Sequence, residues 1–210
     1  MGKSDLNEKA IFFRAETLDD LLVFKATYHN FQFKRHFHEE FALGLMNRGV
    51  QKFNCRGKDV HAPSGSIITV NAGEIHDGMS ADGSIYDYDI IYLPEKLLEE
   101  LAEEMLGDKR AHFFSHSVIK DDRLAGSLSK VFHMLSVKQE RSDNLQELFY
   151  TTVCNILEKY GVGKNKINKP VITPACIKKV CEYIEDTVGL PLSLDEMAGV
   201  AGVSKFHFLR

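Results

Sequence analysis

Between Ile11 and Leu93 the sequence is cut into short runs rich in Phe, Tyr, Val, Ile and Thr, each closed by Gly, Pro or Asn. "LLVFKATYHNFQFKRHFH", "FALGLMNRG", "VQKFNCRG", "KDVHAPSG", "SIITVNAGEIH" and "SIYDYDIIYL" follow one another with turn residues between them. Runs of this length suit strands, and many of them at short spacing predict an antiparallel sandwich or barrel. No other feature of the chain restricts its architecture so strongly.

The period then changes. Pro94 suits the first turn of a helix, and "PEKLLEELAEEML" carries apolar residues at helical spacing up to Gly107. "DDRLAGSLSKVFHMLSVKQE" predicts a second helix, capped by Asp121 or Asp122, and "DNLQELFYTTVCNILEKYG" a third, starting after Asp143 and closed by Gly161. Leu145, Leu148, Phe149, Val153, Ile156 and Leu157 form one stripe on that helix. The stripe suits packing onto the barrel or the neighbouring helix, and equally a dimer interface. "GVGKNKINKPVITP" is polar and basic with two prolines, and reads as a linker. "ACIKKVCEYIEDTVG" resumes as an amphipathic helix with Ile177, Val180, Cys181 and Ile184 on one face. The fold class expected is α+β: a barrel, then helices, then a partial all-α segment.

The net charge of −4 and pI near 6.1 exclude a chain that grips nucleic acid over its whole surface. The charge is uneven: from residue 161 onward 7 Lys/Arg stand against 5 Asp/Glu, and before it 19 against 25. That split hints at two parts with different partners. Cys55, Cys154, Cys176 and Cys181 form no CxxC pair, as expected of free thiols in a reducing cytoplasm. With no signal peptide and no long apolar run, the expectation is a soluble cytoplasmic protein without a membrane span.

In "LPLSLDEMAGVAGVSKFHFLR" Ser193 can cap a short helix, with Glu196 as its capping-box partner three residues on. Gly202 allows a tight bend, and Ser204 can cap the next helix. This is the pattern of a helix-turn-helix. "IKKVCEYIEDTVGLPLSLDEMAGVAGVSKFHFLR" also resembles the start of the DNA-binding domain of AraC/XylS-type transcriptional regulators, over Ile177 to Arg210. The resemblance implies a recognition helix bearing Ser204, Lys205, Phe206, His207 and Arg210, with promoter DNA as partner. Its joining helix and second unit do not follow, so the expectation is a truncated piece of a longer regulator that binds DNA weakly or not at all.

His36 and His38 are two apart and so share one face of a strand; His76 follows the "NAGEI" turn. Three imidazoles converging in a barrel could bind a divalent transition metal, or hydrogen-bond a polar or anionic ligand. The spacing resembles the cupin barrel. His36, His38 and Gly49 fit its first motif, whose Glu falls on Ala42 or Leu43; Gly65, Gly73 and His76 fit the second, with Asn71 in place of Pro and Ser80 in place of a later Asn. Glu40 shares the face of the two histidines if the strand runs on without a bulge.

"HFHEEFALGLMNRG", "APSGSIITVNAGEIHDG" and "YDYDIIYLP" are most similar to the N-terminal barrel of AraC-type regulators, over Phe31 to Pro94. The resemblance implies a barrel that senses a small-molecule effector, helices that hold a homodimer, and an N-terminal arm, here "AIFFRAE", as a lid. The residues expected to line the pocket are His36, His38, Glu40, Asn71, His76 and Tyr88, with His36, His38 and His76 as candidate metal ligands. Tyr86 and Tyr88 alternate with Asp87 and Asp89, so one of the two sets faces inward. The domains expected are a barrel with its arm over 1–94, a helical dimerisation region over 95–160, a linker over 161–173 and an incomplete DNA-binding segment over 174–210. The function expected is a ligand-responsive transcriptional regulator, not an enzyme. The alternatives are a metal-sensing regulator and a metal-dependent cupin enzyme.

Overall fold

The computed structural model describes residues 8–107, 112–137, 143–163, 174–188 and 192–201. The chain divides into two compact units, Met1–Lys166 and Ile167–Arg210.

In the first unit the short runs form two antiparallel sheets. The larger contains β1 (Lys9–Ala15), β2 (Leu21–Tyr28), β4 (Phe41–Arg48), β7 (Ile67–Val70), β9 (Tyr86–Leu93) and β11 (Val118–Ile119), in the order β1-β2-β9-β4-β7-β11. The smaller contains β3 (Phe33–His36), β5 (Val50–Cys55), β6 (Lys58–Pro63) and β8 (His76–Ser80), in the order β3-β8-β5-β6. Phe24, Met46, Ile68 and Tyr88 from the larger sheet meet Phe53 and Cys55 from the smaller in one interior. The result is a cupin-like barrel of facing sheets, followed by helices, in the α+β class.

The other face of the larger sheet is buried as well: Val23, Leu43, Ile91 and Leu93 are fully enclosed. A strand covered on both faces loses its polar alternation, as the apolar run "FALGL" of β4 shows. In β9 it is the tyrosines that face inward. Tyr86 and Tyr88 join the interior, while Asp87 pairs with Arg48 at 2.8 Å and Asp89 with Lys25 at 3.5 Å. Gly49 makes the turn from β4 into β5 at φ 73, where a Cβ would stand 2.3 Å from the Ile85 carbonyl oxygen. Only glycine fits both the conformation and the space.

The N-terminal segment is not a free arm. Lys9–Ala15 pairs with β2 along its whole length as the sheet's edge strand, and Phe12 stacks on Phe24 at 4.3 Å. Glu8 fastens its start: one carboxylate oxygen accepts the backbone N–H groups of His29, Asn30 and Phe31 at 3.0, 2.7 and 2.9 Å. Residues 1–7 lie outside the described residues.

Helix α1 (Glu95–Leu106) follows Pro94 and ends at Gly107, whose left-handed backbone lets its N–H reach the Glu103 carbonyl at 2.9 Å. Helix α2 (Asp122–Ser136) is capped by Asp121, which accepts from Leu124 N at 3.1 Å. Helix α3 (Asp143–Tyr160) packs along α2. The stripe that also suited a dimer interface is used within the chain: Leu145, Phe149, Val153 and Ile156 are completely buried and Leu157 almost so, with Leu148 half-buried. A face already covered in one chain is not available to a second copy.

Two stretches correct the expected boundaries. Val118–Ile119 pairs with β7, so the barrel sheet takes in a strand from beyond residue 94. Gly161–Val162 (β12), expected as the start of the linker, pairs with Phe113–Phe114 (β10) and so belongs to the first unit.

The second unit contains α4 (Pro174–Asp186) and α5 (Leu194–Ala201). Ser193 and Glu196 form the expected capping box: Glu196 N donates to Ser193 Oγ at 3.2 Å, and Ser193 N to Glu196 Oε2 at 2.9 Å. Ser204, Lys205, Phe206, His207 and Arg210 lie outside the described residues. Among the described residues no helix is long and apolar enough to cross a membrane. Cys55, Cys154 and Cys181 are free thiols.

Candidate ligand-binding site

The barrel interior opens into a cavity of about 60 Å³, walled by both sheets. Strand pairing explains how the histidines reach it. His36 at the end of β3 stands directly opposite His76 at the start of β8, and His38 lies two residues beyond His36. Ring centroids are 4.3 Å apart for His36–His76, 4.6 Å for His38–His76 and 5.5 Å for His36–His38. One ring nitrogen from each lies within 4.8 Å of the others.

The backbone fixes which nitrogen faces the cavity. His36 Nδ1 is 2.7 Å from the Lys34 carbonyl oxygen and His76 Nδ1 is 2.9 Å from that of Glu74. A carbonyl only accepts, so in both rings Nδ1 carries a proton. Burial, with the neighbouring His36 adding to it, pushes His38 down to about 4. Burial likewise pushes His76 down to about 4, against the opposing Glu74 carbonyl. Both rings are neutral near pH 7.

The turn beneath His76 is braced. Glu74 pairs with Arg56 at 2.7 Å and accepts from Asn71 N and Asn71 Nδ2, each at 3.0 Å. This use of Asn71 departs from the sequence reading. Asn71 is 1% exposed, bonds both the N–H and the carbonyl of Phe114, and does not line the cavity. Glu40 is exposed and also absent from the lining, because the chain leaves β3 at His36 and its alternation does not carry on to residue 40.

Tyr88 does line the cavity, together with residues the sequence reading missed: Phe24, Phe33, Gln51, Asp77 and Tyr92. Tyr92 was within reach, being four residues from Tyr88 on the same face of β9. Gln51 comes from the facing sheet and depends on a pairing that local sequence does not reveal. Burial raises Tyr92 to about 12 and holds Tyr88 well above its ordinary value, so both phenols stay protonated and can donate as well as accept. The wall thus combines imidazoles, phenols, one amide, the Asp77 carboxylate and aromatic faces, a set suited to holding a small polar molecule.

Residues 20–150 match the family model of the AraC-like ligand binding domain. The chain is 24% identical over 179 residues to YbfI of Bacillus subtilis (strain 168), an uncharacterized HTH-type transcriptional regulator. That alignment takes in 85% of this chain and 64% of the relative, so the chain spans less than two thirds of the relative's length. Among solved structures, the AraC-like transcriptional activator CuxR is similar with a TM-score of 0.55, over 99% of this chain and 76% of that one, at 13% identity. At that identity the likeness shows the fold.

Proposed function

The chain belongs to the AraC-like ligand-binding-domain family, and from that membership we propose that its barrel is the effector-sensing part of a cytoplasmic, DNA-binding transcriptional regulator. The observation that carries this reading is the cavity, where His36, His38, His76 and Tyr88 meet between two sheets with Gln51 and Tyr92. A small molecule held there favours one arrangement of barrel and helices over another. Its influence on DNA binding equals its difference in affinity for the two arrangements.

The capping box at Ser193 and Glu196 supports α4 and α5 as the first helices of a helix-turn-helix unit, with promoter DNA as partner. A homodimer, which the resemblance to AraC-type regulators implies, needs a surface other than the buried stripe of α3. The site binds rather than turns over its ligand, in keeping with relatives that are named as regulators.

A thermal-shift screen of small organic acids, amino acids and sugars on the 210-residue chain tests the reading. A ligand at about 100 times its Kd adds about 2.7 kcal/mol. For a domain of this size that raises Tm by about 5–10 °C. At least one chemical class should produce such a shift, and Tyr88→Phe should reduce it. A shift unaffected by Tyr88→Phe and by changes at all three histidines would move the effector site out of the barrel.

A further inference from the structure

Gln51 on β5 is 7% exposed and lines the cavity, yet among the described residues no hydrogen bond reaches its side chain. Tyr88 is 4% exposed and lines the same cavity, and its hydroxyl also has no partner among the described residues. A buried amide or phenol ordinarily finds a partner, because burial strips it of water. Other buried polar side chains of this barrel do so: Thr69 donates to the His116 carbonyl, and Asn71 bonds Phe114 and Glu74. Two unpartnered polar groups on one cavity wall point to a ligand.

Gly78 makes the seat for Gln51. An ideal Cβ on Gly78 would stand 2.8 Å from Gln51 Nε2, so the amide lies in space that any other residue would fill. The backbone of Gly78 is not left-handed, and conformation alone does not call for glycine there. Both polar groups are rooted away from the histidines. Cys55, four residues along β5 from Gln51, is the residue that pairs with His76, and Tyr92, four along β9 from Tyr88, is the ring that meets His38 at 5.1 Å. Four residues of a strand span about 13 Å.

A carboxamide carries a donor and an acceptor side by side in one plane, and its match is a group with an acceptor and a donor side by side. A primary amide or a lactam has that edge. A carboxylate has two acceptors, one of which would face the Gln51 oxygen. Among the described lining residues there is no Lys or Arg, and the carboxylate of Asp77 is engaged by Asn54 N at 2.6 Å. The neighbouring surfaces are the rings of Phe24, Phe33 and Phe53, which pack well on a flat group. At about 10–15 Å³ each, the cavity of about 60 Å³ takes roughly four to six water-sized groups.

We propose that Gln51 is the specificity-determining residue of the barrel, and that the effector is a small uncharged molecule that presents a carboxamide or lactam edge to it. This rests on the effector-sensing reading above and names the effector's chemical class.

The test is a ¹⁵N–¹H NMR titration of the 210-residue chain with propionamide, 2-pyrrolidinone and, as a charged isostere, propionate. The side-chain NH₂ signals of Gln51, assigned through its backbone, should shift with both amides. Both should bind at least about tenfold more tightly than propionate, the factor that one hydrogen bond supplies. Gln51→Leu, close in size, should leave the Tm of the free protein unchanged or higher, since it removes an amide with no partner, and should weaken both amides by about tenfold. Gly78→Ala keeps the amide and displaces it, and should weaken them likewise. Amides that bind no better than propionate, shifts that bypass the Gln51 NH₂ signals, or a marked loss of Tm in Gln51→Leu would overturn the proposal. The titration is read on the unaltered chain, so it stands even if a variant fails to fold. A different molecule that binds through Tyr88 with an affinity indifferent to Gln51→Leu would remove this selectivity and leave the sensing role intact. No binding of any small molecule to the barrel would remove both.

Discussion

Asn71 Oδ1 accepts Phe114 N at 2.8 Å while its Nδ2 donates to the Phe114 carbonyl at 3.1 Å, so one side chain satisfies both polar groups of a buried peptide segment. Asn71→Ala strands those groups and part of Glu74, and each buried unpaired group costs about 1–3 kcal/mol. The expected loss is about 3 kcal/mol in urea denaturation, with the ligand-induced Tm shift kept; a lost shift at unchanged stability would return Asn71 to the binding site. Glu8 gives a pH prediction. The backbone N–H groups of His29 and Asn30 lead in holding its carboxyl below the ordinary value, so the unfolded chain takes up this proton first as pH falls. Its stabilisation is complete above the unfolded value near 4.5 and fades as pH drops through the lower folded one. Glu8→Ala should therefore lower the urea midpoint at pH 7, and the gap to the unaltered chain should narrow by pH 3; a gap constant with pH would mean the contact is not ionic. At this scale the sequence is legible where spacing decides. His36, His38 and His76 can be picked out from a two-residue step and a turn, whereas an Asn after a strand looks the same whether it meets a ligand or Phe114.

Elements show the same division. Gly, Pro and Asn punctuation makes β4 to β7 and β9 readable, and the capping groups Asp121, Ser193 and Glu196 mark helix starts that the structure keeps. β1 is harder, because an edge strand with Ile11 and Phe12 exposed has the composition of an arm, and only its register with β2 makes it part of the sheet. The apolar stripe of α3 is ambiguous for a different reason: one helical period serves a contact within a chain and a contact between chains alike. Ile156 separates the two. It is fully buried within the single chain, so Ile156→Ala should cost about 2–5 kcal/mol of folding stability, independent of protein concentration. A loss that disappears as concentration rises would return the stripe to a dimer interface.

On the scale of the whole molecule, a barrel unit carries the cavity and a smaller unit carries α4 and the capped α5. Fold and family were legible because the strand punctuation and two separate motif-bearing segments point the same way. The cavity's opposite wall was not, since Gln51 and Phe53 reach it only through pairing across the smaller sheet. The claim on which the rest depends is that an effector enters this barrel. Histidine side-chain ¹⁵N NMR, recorded with and without any compound that raises Tm, tests it most directly. Signals of His36, His38 and His76 should shift or exchange on binding, while that of His133, exposed on α2, should stay in place. A compound that stabilises the protein and leaves the three cavity histidines unchanged would contradict sensing through the barrel.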